Sequence, residues 1–309
     1  MTTTTPAGPA FADVLAAAGL TPDGTAPTAT APDMSREPSA QEAGSGVEHH
    51  KAVAVAVLKG LFEAGDTQVV DRHVRPDLVQ HSPFVPDGAQ ALKNAGGAVH
   101  ARFPDAEYRV QRVIAQGDLV LAHSHLVLTP GTRGTAVVDT FRFRGGRIAE
   151  HWQVAQEVPE ATANGNDMFS TVSRPQTNEP GPAWLTPHHE KLVAEVFDQV
   201  LVRKNPAAAD TYYTPEYHQH NPNIPDGRDA AKTWLGAYFD AFPQLSVSAP
   251  KLLVAEGDVV AVHSHGVPAP GLRGLAIVDL FRVVDGKVVE HWDVLQEVPE
   301  TAANDNTMF

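Results

Sequence analysis

The second half of the chain begins with two helical patterns of apolar residues. Over His188–Val202 the apolar positions recur every three or four residues, which is the spacing of one helix face. A second pattern covers Asp229–Phe242 and ends at Pro243, with Asp226 as a plausible N-cap. The first stripe contains Leu192, Val193, Val196, Phe197, Val200 and Leu201, and the second contains Trp234, Leu235, Tyr238 and Phe239.

The residues after these helices alternate between apolar and polar side chains and predict strands. We place three or four strands at roughly 246–256, 258–267, 273–284 and 287–296. Gly257-Asp258 and Asp285-Gly286 are turn signals between them. Helices followed by an antiparallel meander are typical of the α+β class.

The chain is a tandem duplication. Residues 257–309 align with residues 117–169 without a gap and are identical at more than half of their positions. Upstream, the match continues with a shift of one residue, and a repeat of this length is a domain rather than a solenoid unit. The shared strings include His123-Ser-His125 and His263-Ser-His265, Val138-Asp-x-Phe-Arg142 and Val278-Asp-x-Phe-Arg282, and Glu150-His-Trp152 and Glu290-His-Trp292.

We therefore expect domain 1 at 47–169, a linker at 170–186 and domain 2 at 187–309. The second helix of domain 1, Ala89–Phe103, contains Gly96-Gly97, which costs about 2 kcal/mol of helix propensity relative to alanine. Residues 1–46 are rich in Ala, Pro and Thr, a composition typical of a disordered tail. Within them, Phe11–Leu20 is either a short helix or docking segment or an idle part of the tail, which we favour.

Composition excludes several functions. The net charge is -14, and no Lys/Arg-rich stripe is present, so we expect no nucleic-acid partner and no anionic membrane partner. The chain has no cysteine, which excludes thiol catalysis and disulfides. No run is long enough to span a membrane and residues 1–5 lack the features of a secretory signal, so we expect a cytoplasmic protein.

The hairpin after Val283 decides which polar residues meet. A two-residue Asp285-Gly286 turn places Asp279 beside Trp292. A three-residue loop with a bulge at Gly286, which we favour, places Asp279 opposite His291. In that register, Asp279, His291 and Asp293 form one polar island in an apolar face.

This polar island can carry proton transfer. A carboxylate among apolar residues has a raised pKa and accepts a proton more readily near neutral pH, and an adjacent imidazole can share that proton. Such groups suit enolisation, aldol closure or double-bond migration beside a carbonyl. The alternative is a buried His–Asp pair that only holds the strands in register.

The His-x-His strings have the spacing of a metal clamp on a strand. A cupin-like site requires a glutamate a few residues later, and neither Leu126–Gly131 nor Gly266–Gly271 contains one. We therefore expect no metal and keep the histidines as substrate-binding candidates. Together with their neighbours, these candidates are His81, His123, His125, Asp139, His151, His220, His263 and His265.

Other repeated residues have structural interpretations. Arg142 and Arg282 are expected to pair with Glu150 and Glu290 across the sheet. His220-Asn-Pro222 either lines the mouth of a cavity or forms a turn or helix cap. Each copy ends in Met-Phe, which we expect to dock against the sheet.

Taken together, several strings resemble the SnoaL-like family of the nuclear transport factor 2-like superfamily. The resemblance covers nearly all of 188–309 and, more loosely, 49–169. It implies two tandem cone-shaped α+β domains, each a curved antiparallel sheet wrapped over N-terminal helices around a pocket. The strings are His220-Asn-Pro…Asp226-Gly, Ala255-Glu-Gly-Asp258, Val278-Asp-Leu-Phe-Arg282, Asp285-Gly-Lys-Val-Val-Glu-His-Trp-Asp293-Val-Leu-Gln296 and Ala303-Asn-Asp-Asn-Thr-Met-Phe309.

The resemblance also implies a function. Enzymes of this family close polyketide rings by aldol condensation without metal or cofactor, and Asp293 best matches their acid/base aspartate. We expect His291 and Asp279 to assist Asp293 in catalysis, whereas domain 1 has Gln153 at that position and is expected to be degenerate. The alternative is a non-enzymatic ligand-binding or dimerisation module, since this fold hosts both.

The expected partners are a small-molecule ligand and, within the chain, the other domain. Because members of the superfamily pair through their sheets, we expect an internal pseudo-dimer. The outward faces with Trp152, Val154, Trp292 and Val294 would supply its apolar contact.

Overall fold

The computed structural model describes residues 14–15 and 40–309. Most of the predicted tail at 1–46 lies outside the described residues. A helix begins at Ala40, however, inside the stretch that we assigned to the tail. Val14 and Leu15 are helical and buried, which differs from an idle tail.

The helices of domain 1 are α1 (Ala40–Phe62), α2 (Gln68–His73) and α3 (Ala89–Arg102). Its strands are β1 (Val74–Gln80), β2 (Glu107–Gln116), β3 (Leu119–Val127), β4 (Thr135–Arg144) and β5 (Arg147–Glu157).

Domain 2 repeats this order. Its helices are α4 (Thr186–Phe197), which continues as a π-helical turn over Asp198–Val202, α5 (Ala209–Tyr212) and α6 (Arg228–Ala241). Its strands are β6 (Tyr213–Gln219), β7 (Ser246–Val247), β8 (Leu252–Glu256), β9 (Val259–Val267), β10 (Leu275–Val284) and β11 (Lys287–Glu297).

Both sheets have the same topology. Their strand orders are β1-β5-β4-β3-β2 and β6-β11-β10-β9-β7, and β8 also pairs with β9. All pairs are antiparallel except the first strand of each sheet, which runs parallel to the last. The predicted α+β class with two tandem domains is confirmed, whereas the exact domain boundaries stay a prediction.

The parallel edge strands were missed in the sequence. Pro76 in β1 and Pro215 in β6 interrupt the alternation, and proline is tolerated mainly on sheet edges because it donates no ladder hydrogen bond. Pairing skips the residues around each proline, with register jumps between Val74 and Val79 and between the matching positions of β6. The predicted strand 246–256 is likewise split into β7 and β8, with Pro250 in the gap.

The helices α3 and α6, which follow the edge strands β1 and β6, each begin after a glycine rather than at a carboxylate cap. Gly227, with φ 87°, precedes α6, and no side chain caps the helix. Asp226, our candidate cap, instead accepts a hydrogen bond from the backbone N–H of Gln219 at 2.7 Å. The prediction of Asp226 as the N-cap is therefore wrong, and this carboxylate holds the end of β6.

One apolar cluster contains residues of both domains, including Val138 and Val154 from domain 1 and Val278, Trp292 and Val294 from domain 2. The hydrogen bonds around it are reciprocal. The side-chain oxygen of Gln156 accepts from the backbone N–H of Leu295 at 2.9 Å. In return, Gln296 accepts from Ala155 at 2.8 Å.

The segment that follows each sheet reaches across to the other domain. Asn164 donates to the backbone carbonyl of Asn221 in domain 2 at 2.6 Å. In the reciprocal contact, Asn304 donates to the carbonyl of Ser82 in domain 1 at 2.8 Å. Each domain therefore holds the loop that follows its neighbour's edge strand.

The Met-Phe endings dock as predicted. Met168, Phe169 and Met308 are buried in the shared cluster, and Phe309 packs against it.

Candidate active site

Domain 2 encloses a cavity of about 440 Å³ between α6 and the inner face of its sheet. Most of its wall is apolar and aromatic, and the polar side chains converge from β9, β10 and β11 and from the end of β6. The apolar wall includes Tyr213, Trp234, Leu235, Tyr238, Phe239, Ile277, Phe281 and Leu295. The polar groups are Gln219, Asn221, Ser264, Asp279, His291 and Asp293, with the hydroxyl of Tyr217.

The β10–β11 hairpin differs from both registers that we considered. Val284 pairs with Lys287 across a two-residue turn of Asp285 and Gly286, whose φ angles are 49° and 73°. The favoured three-residue loop is therefore wrong. The two-residue alternative is also incomplete, because a bulge at Val289 shifts the pairing beyond the turn.

The bulge places Asp279 directly opposite Asp293 and moves Trp292 opposite Leu280. Since residues two apart on a strand share a face, His291 lies on the same face as Asp293. The predicted polar island of Asp279, His291 and Asp293 is confirmed: one ligand atom from each lies within 4.8 Å of the others.

Hydrogen bonds determine the protonation of His291. Gln219 Oε1 accepts the backbone N–H of Asn221 at 2.8 Å, so this atom is the oxygen, and His291 Nδ1 at 2.9 Å must donate to it. Nε2 lies 3.0 Å from Asp279 Oδ1. Burial opposes the charged imidazolium, but the hydrogen bond to Asp279 and the charges of Asp293 and Asp279 outweigh it and raise the pKa of His291. His291 and Asp279 therefore form a buried ion pair.

Asp293 is the polar residue best suited to accept a proton. Burial raises its pKa to about 6; the charge of His291 and the hydrogen bond from Asn221 oppose that rise, and the charge of Asp279 adds to it. Asn221 Nδ2 donates to Asp293 Oδ2 at 2.6 Å. Within the described part of the chain, neither Asp293 Oδ1 nor Asp279 Oδ2 has a hydrogen-bond partner, although both are buried. Two carboxylate oxygens are therefore free to meet a ligand in the cavity.

In domain 1, the counterpart of Asp279 is Asp139, and its two carboxylate oxygens are hydrogen-bonded by side chains of the same domain. Asp139 Oδ1 is 2.9 Å from both His151 Nε2 and Gln153 Nε2. Its other oxygen accepts from the hydroxyl of Tyr108 at 2.5 Å. Burial and the charge of Asp139 raise the pKa of Tyr108 well above its usual value, so this phenol remains a donor. Domain 1 thus brings together Asp139 and His151, two of the substrate-binding candidates, but both carboxylate oxygens of Asp139 are occupied by side chains of domain 1 itself.

The His-x-His histidines lie on the other face of their strands. Ser264 lines the cavity, so His263 and His265 point away from it, and their rings lie 5.6 and 4.4 Å from that of Phe309. In domain 1, His125 stacks on Phe169 at 4.3 Å and His123 lies near the same ring. Alternation directs these four histidines towards the shared cluster between the domains rather than into the cavity of domain 2, and substrate binding by them stays a prediction.

Burial lowers the pKa of His263 to about 4, and the charge of His81 adds to this effect. Burial and the neighbouring charge of Arg112 lower the pKa of His123 well below its usual value. Both rings are therefore neutral at physiological pH. His123 Nδ1 accepts a hydrogen bond from Arg112 Nη1 at 2.7 Å, whereas His263 packs beside Phe309.

His220 and His81 also lie outside the cavity wall. His220 is buried between Glu290, at 2.8 Å, and the backbone carbonyl of Asp167, and its ring stacks on Trp292 at 5.1 Å. His81 stacks on Trp152 at 4.5 Å. Both rings contact the backbone of the other domain, and their contact with substrate stays a prediction.

The arginine predictions hold for one domain only. Arg142 pairs with Glu150 at 2.9 Å as expected. Arg282 pairs with Asp258 at 2.9 Å instead, because Glu290 accepts from His220 and from Ser173 of the linker.

Several site residues were missed in the sequence. Gln219 orients His291, Tyr217 accepts from Gln219 Nε2 at 2.9 Å, and Ser264 lines the cavity. Asn221 belongs to the His220-Asn-Pro222 string that we proposed for the cavity mouth. We selected His220 from that string, whereas Asn221 is the residue that lines the cavity. Gln219 could have been identified from the repeat, because its counterpart Gln80 occurs at the same place in domain 1.

Asp279, His291 and Asp293 are also the described residues that could supply three ligands to a metal ion. A metal here would displace the hydrogen bond between His291 and Asp279. We expect no metal, and elemental analysis of protein purified without chelator tests that expectation.

A family model for the SnoaL-like domain matches the chain twice, at residues 55–151 and 193–291. These matches cover more than half of the chain. The chain belongs to the SnoaL-like domain family. A search of curated proteins finds no match.

Solved structures similar to this SnoaL-like chain each cover about one domain. TsrD from Streptomyces laurentii is 23% identical, with a TM-score of 0.31, and covers 35% of this chain and 89% of its own. IdmH from Streptomyces antibioticus is 23% identical, with a TM-score of 0.31, and covers 35% and 91%. An NTF2-like protein of unknown function from Mesorhizobium loti is 20% identical, with a TM-score of 0.33, and covers 36% and 93%. Similarity at this level does not indicate the function of this chain.

None of the helices that the structure describes is long and apolar enough to cross a membrane.

Proposed function

We propose that domain 2 is a cofactor-independent acid/base enzyme acting on a small carbonyl compound, by enolisation that leads to aldol condensation or isomerisation. The observation that carries this proposal is the pair of buried, unpartnered carboxylate oxygens, Asp279 Oδ2 and Asp293 Oδ1, at the polar end of an apolar cavity. A buried polar atom without a partner is costly, so its presence at a cavity points to a ligand that completes it.

Asp293 is the general base of the proposed reaction. It takes a proton from the carbon beside the carbonyl, the C–H electron pair becomes the enolate double bond, and the carbonyl pair moves to oxygen. Ser264 and Tyr217 line the same cavity and offer hydroxyl protons to that oxygen. In an aldol closure, the enolate carbon bonds to a second carbonyl carbon, and the new alkoxide recovers the proton from Asp293.

Asp279 and His291 act on Asp293 through charge. The imidazolium of His291 stabilises the carboxylate form of Asp293, while burial and Asp279 oppose it. The balance leaves Asp293 ionised above about pH 6 and still basic enough to accept a carbon-bound proton.

Hydrogen–deuterium exchange of 1-tetralone in D₂O tests this function. We expect the wild-type protein to catalyse deuterium uptake at the carbon beside the carbonyl, measured by mass spectrometry. Saturable binding of 1-tetralone without exchange would contradict enzymatic function and support the alternative, a non-enzymatic ligand-binding or dimerisation module. Absence of both would contradict the proposed ligand class.

We also propose that the two domains associate as an internal pseudo-dimer. The reciprocal hydrogen bonds of Gln156 and Gln296 support it, because equivalent surfaces that exchange equivalent contacts are the mark of two-fold association. Lys51 Nζ of domain 1 lies 2.7 Å from Glu256 Oε1 of domain 2. A zero-length carbodiimide cross-link between these two side chains, found in the monomeric fraction, is the expected result, and its absence would contradict the arrangement.

A further inference from the structure

Two buried residues in domain 1 come from outside the repeated unit. Val14 and Leu15 are 4% and 2% exposed and belong to the core cluster of domain 1. The other buried members of that cluster lie between Val53 and Ile148. Among the described residues, the buried members of the inner core of domain 2 lie between Val193 and Val288.

The cluster that contains Val14 and Leu15 corresponds to the cavity wall of domain 2. The repeat aligns Leu92, Ala95 and Val99 on α3 with three cavity-lining residues on α6. Those counterparts are Ala231, Trp234 and Tyr238. Further members of the domain 1 cluster that match cavity-lining positions are Phe62, Val74, Leu78, Val85, Ala106, Tyr108, Leu126, Leu128, Val137 and Phe141.

Side-chain size makes this burial informative. Trp234 and Tyr238 are partly exposed in domain 2, although they are large. Ala95 and Val99 are 1% and 0% exposed, although they are small and leave more space. Because protein interiors are close-packed, other atoms must fill that space.

The polar end of the domain 1 interior is filled from within the domain. Tyr108 occupies the position of Val247, a cavity-lining residue of domain 2. Its hydroxyl occupies the oxygen of Asp139 that corresponds to the unpartnered Asp279 Oδ2. The atoms that a ligand would supply in domain 2 are thus supplied in domain 1 by the chain itself.

We propose that domain 1 retains a second, latent cavity for an apolar ligand and that the Val14–Leu15 segment occupies it as an internal ligand. Release of this segment opens the apolar part of the cavity, while Tyr108 keeps its polar end inactive. The latent cavity therefore binds apolar compounds without turnover. This proposal concerns domain 1 and stands independently of catalysis in domain 2.

Thiol labelling tests the burial and the displacement of the segment. The chain has no cysteine, so Leu15→Cys places a single thiol in the segment, and Ala302→Cys places one at an exposed position as the control. We expect Leu15→Cys to react about 100-fold more slowly with a disulfide reagent, because labelling requires opening. Saturating 1-anilinonaphthalene-8-sulfonate should accelerate that reaction and leave the control unchanged. Equal rates, or a slow rate that the probe does not change, would overturn the proposal.

Binding stoichiometry tests the cavity. In the full chain, Val14→Asp together with Leu15→Asp should add one binding site for 1-anilinonaphthalene-8-sulfonate. It should also increase amide exchange in α3 but not in α6. Thr28→Asp with Thr30→Asp adds the same charge to the N-terminal stretch and should change neither. An unchanged stoichiometry with domain 1 still folded would overturn the proposal; if domain 1 unfolds, the conservative Leu15→Cys labelling decides.

Discussion

At the residue scale, the two domains differ most at one position of the last strand. Domain 2 has Asp293, a carboxylate with one unpartnered oxygen, where domain 1 has Gln153, an amide that donates to Asp139. An amide accepts and donates hydrogen bonds but takes no proton at neutral pH. The difference therefore separates a site with a base from a site without one.

Replacement of the base tests this asymmetry. Asp293→Asn should lower the 1-tetralone exchange rate by about 100-fold or more, because it removes the proton acceptor and barely changes the shape. Asp139→Asn in domain 1 is the matched control and should leave exchange near the wild-type rate. If Asp139→Asn and His151→Ala reduce exchange as strongly as the domain 2 variants, with thermal melting showing both folded, the asymmetry is wrong and Asp279 becomes the leading base.

The pH dependence follows from the raised pKa of Asp293, which is about 6. The base works when deprotonated, so exchange should be constant above that pKa and fall about tenfold per pH unit below it. Because the charges of His291 and Asp279 act on Asp293, the midpoint is a property of this cluster rather than of Asp293 alone. A rate profile from pH 4.5 to 8 that is flat, or whose midpoint lies at the ordinary aspartate value, would contradict the assignment.

The raised pKa of Asp293 also makes the stability of the fold depend on pH. The pKa of Asp293 is higher in the fold than in the unfolded chain, so its contribution is fully present below the unfolded value near 3.8 and is lost as pH rises through about 6. His263 has the opposite sign, because its folded pKa of about 4 is below 6.5, and its contribution is lost as pH falls across that window.

At the element scale, the equivalent helices α3 and α6 pack differently against their neighbours. A Cβ at Gly96 would collide with the side chain of Leu61, so α3 approaches α1 closely only because this position has no side chain. The counterpart of Gly96 in α6 is Leu235, which lines the cavity. Gly96, which weakens the helical pattern in the sequence, thus allows α3 to pack closely against α1. This close packing leaves less space inside domain 1 than inside domain 2.

Two alanine substitutions separate packing from propensity. Gly96→Ala should destabilise the protein by about 1–3 kcal/mol, because overpacking outweighs the gain in helix propensity. Gly236→Ala in α6, where the nearest atom to a Cβ is Pro206 Cγ at 3.9 Å, should stabilise it by up to about 1 kcal/mol. Calorimetric unfolding measures both, and equal effects of the two substitutions would show that the approach of α3 to α1 is not tight.

At the scale of the whole molecule, each domain depends on the other for the loop beside its carboxylates. Asn164 of domain 1 donates to the backbone carbonyls of Asn221 and Ile224 at 2.6 and 3.0 Å. Asn221 in turn donates to Asp293. The position of a group that touches the proposed base is therefore set partly by the neighbouring domain.

This dependence predicts unequal effects of two equivalent substitutions. Asn164→Ala and Asn304→Ala should each destabilise the protein by about 1–2 kcal/mol, since each removes two hydrogen bonds to backbone carbonyls of the other domain. Only Asn164→Ala should slow 1-tetralone exchange, by roughly 3- to 10-fold, because only its loop contacts the active carboxylate. Equal exchange rates for the two variants would show that the segment around Asn164 does not position Asn221.

The sequence alone predicted much of this protein. Repeated strings, helical stripes and alternating segments depend on local periodicity, so they predicted two α+β domains, their long helices and their antiparallel strands. The strings around Asp279 and Asp293 also identified the SnoaL-like family, which the family model confirms. The buried polar island was predictable because both of its strands are joined by one short hairpin.

Only the tertiary structure decided which histidines meet the cavity and which residues face each other within it. A single bulge at Val289 shifts every pair beyond it, and no local pattern marked that bulge. The edge strands β1 and β6 pair with distant strands. His220 contacts the backbone of Asp167 in domain 1 and His263 lies beside Phe309, so their roles also depend on contacts far apart in sequence. Local periodicity determines which face a side chain occupies, but long-range packing determines what covers that face.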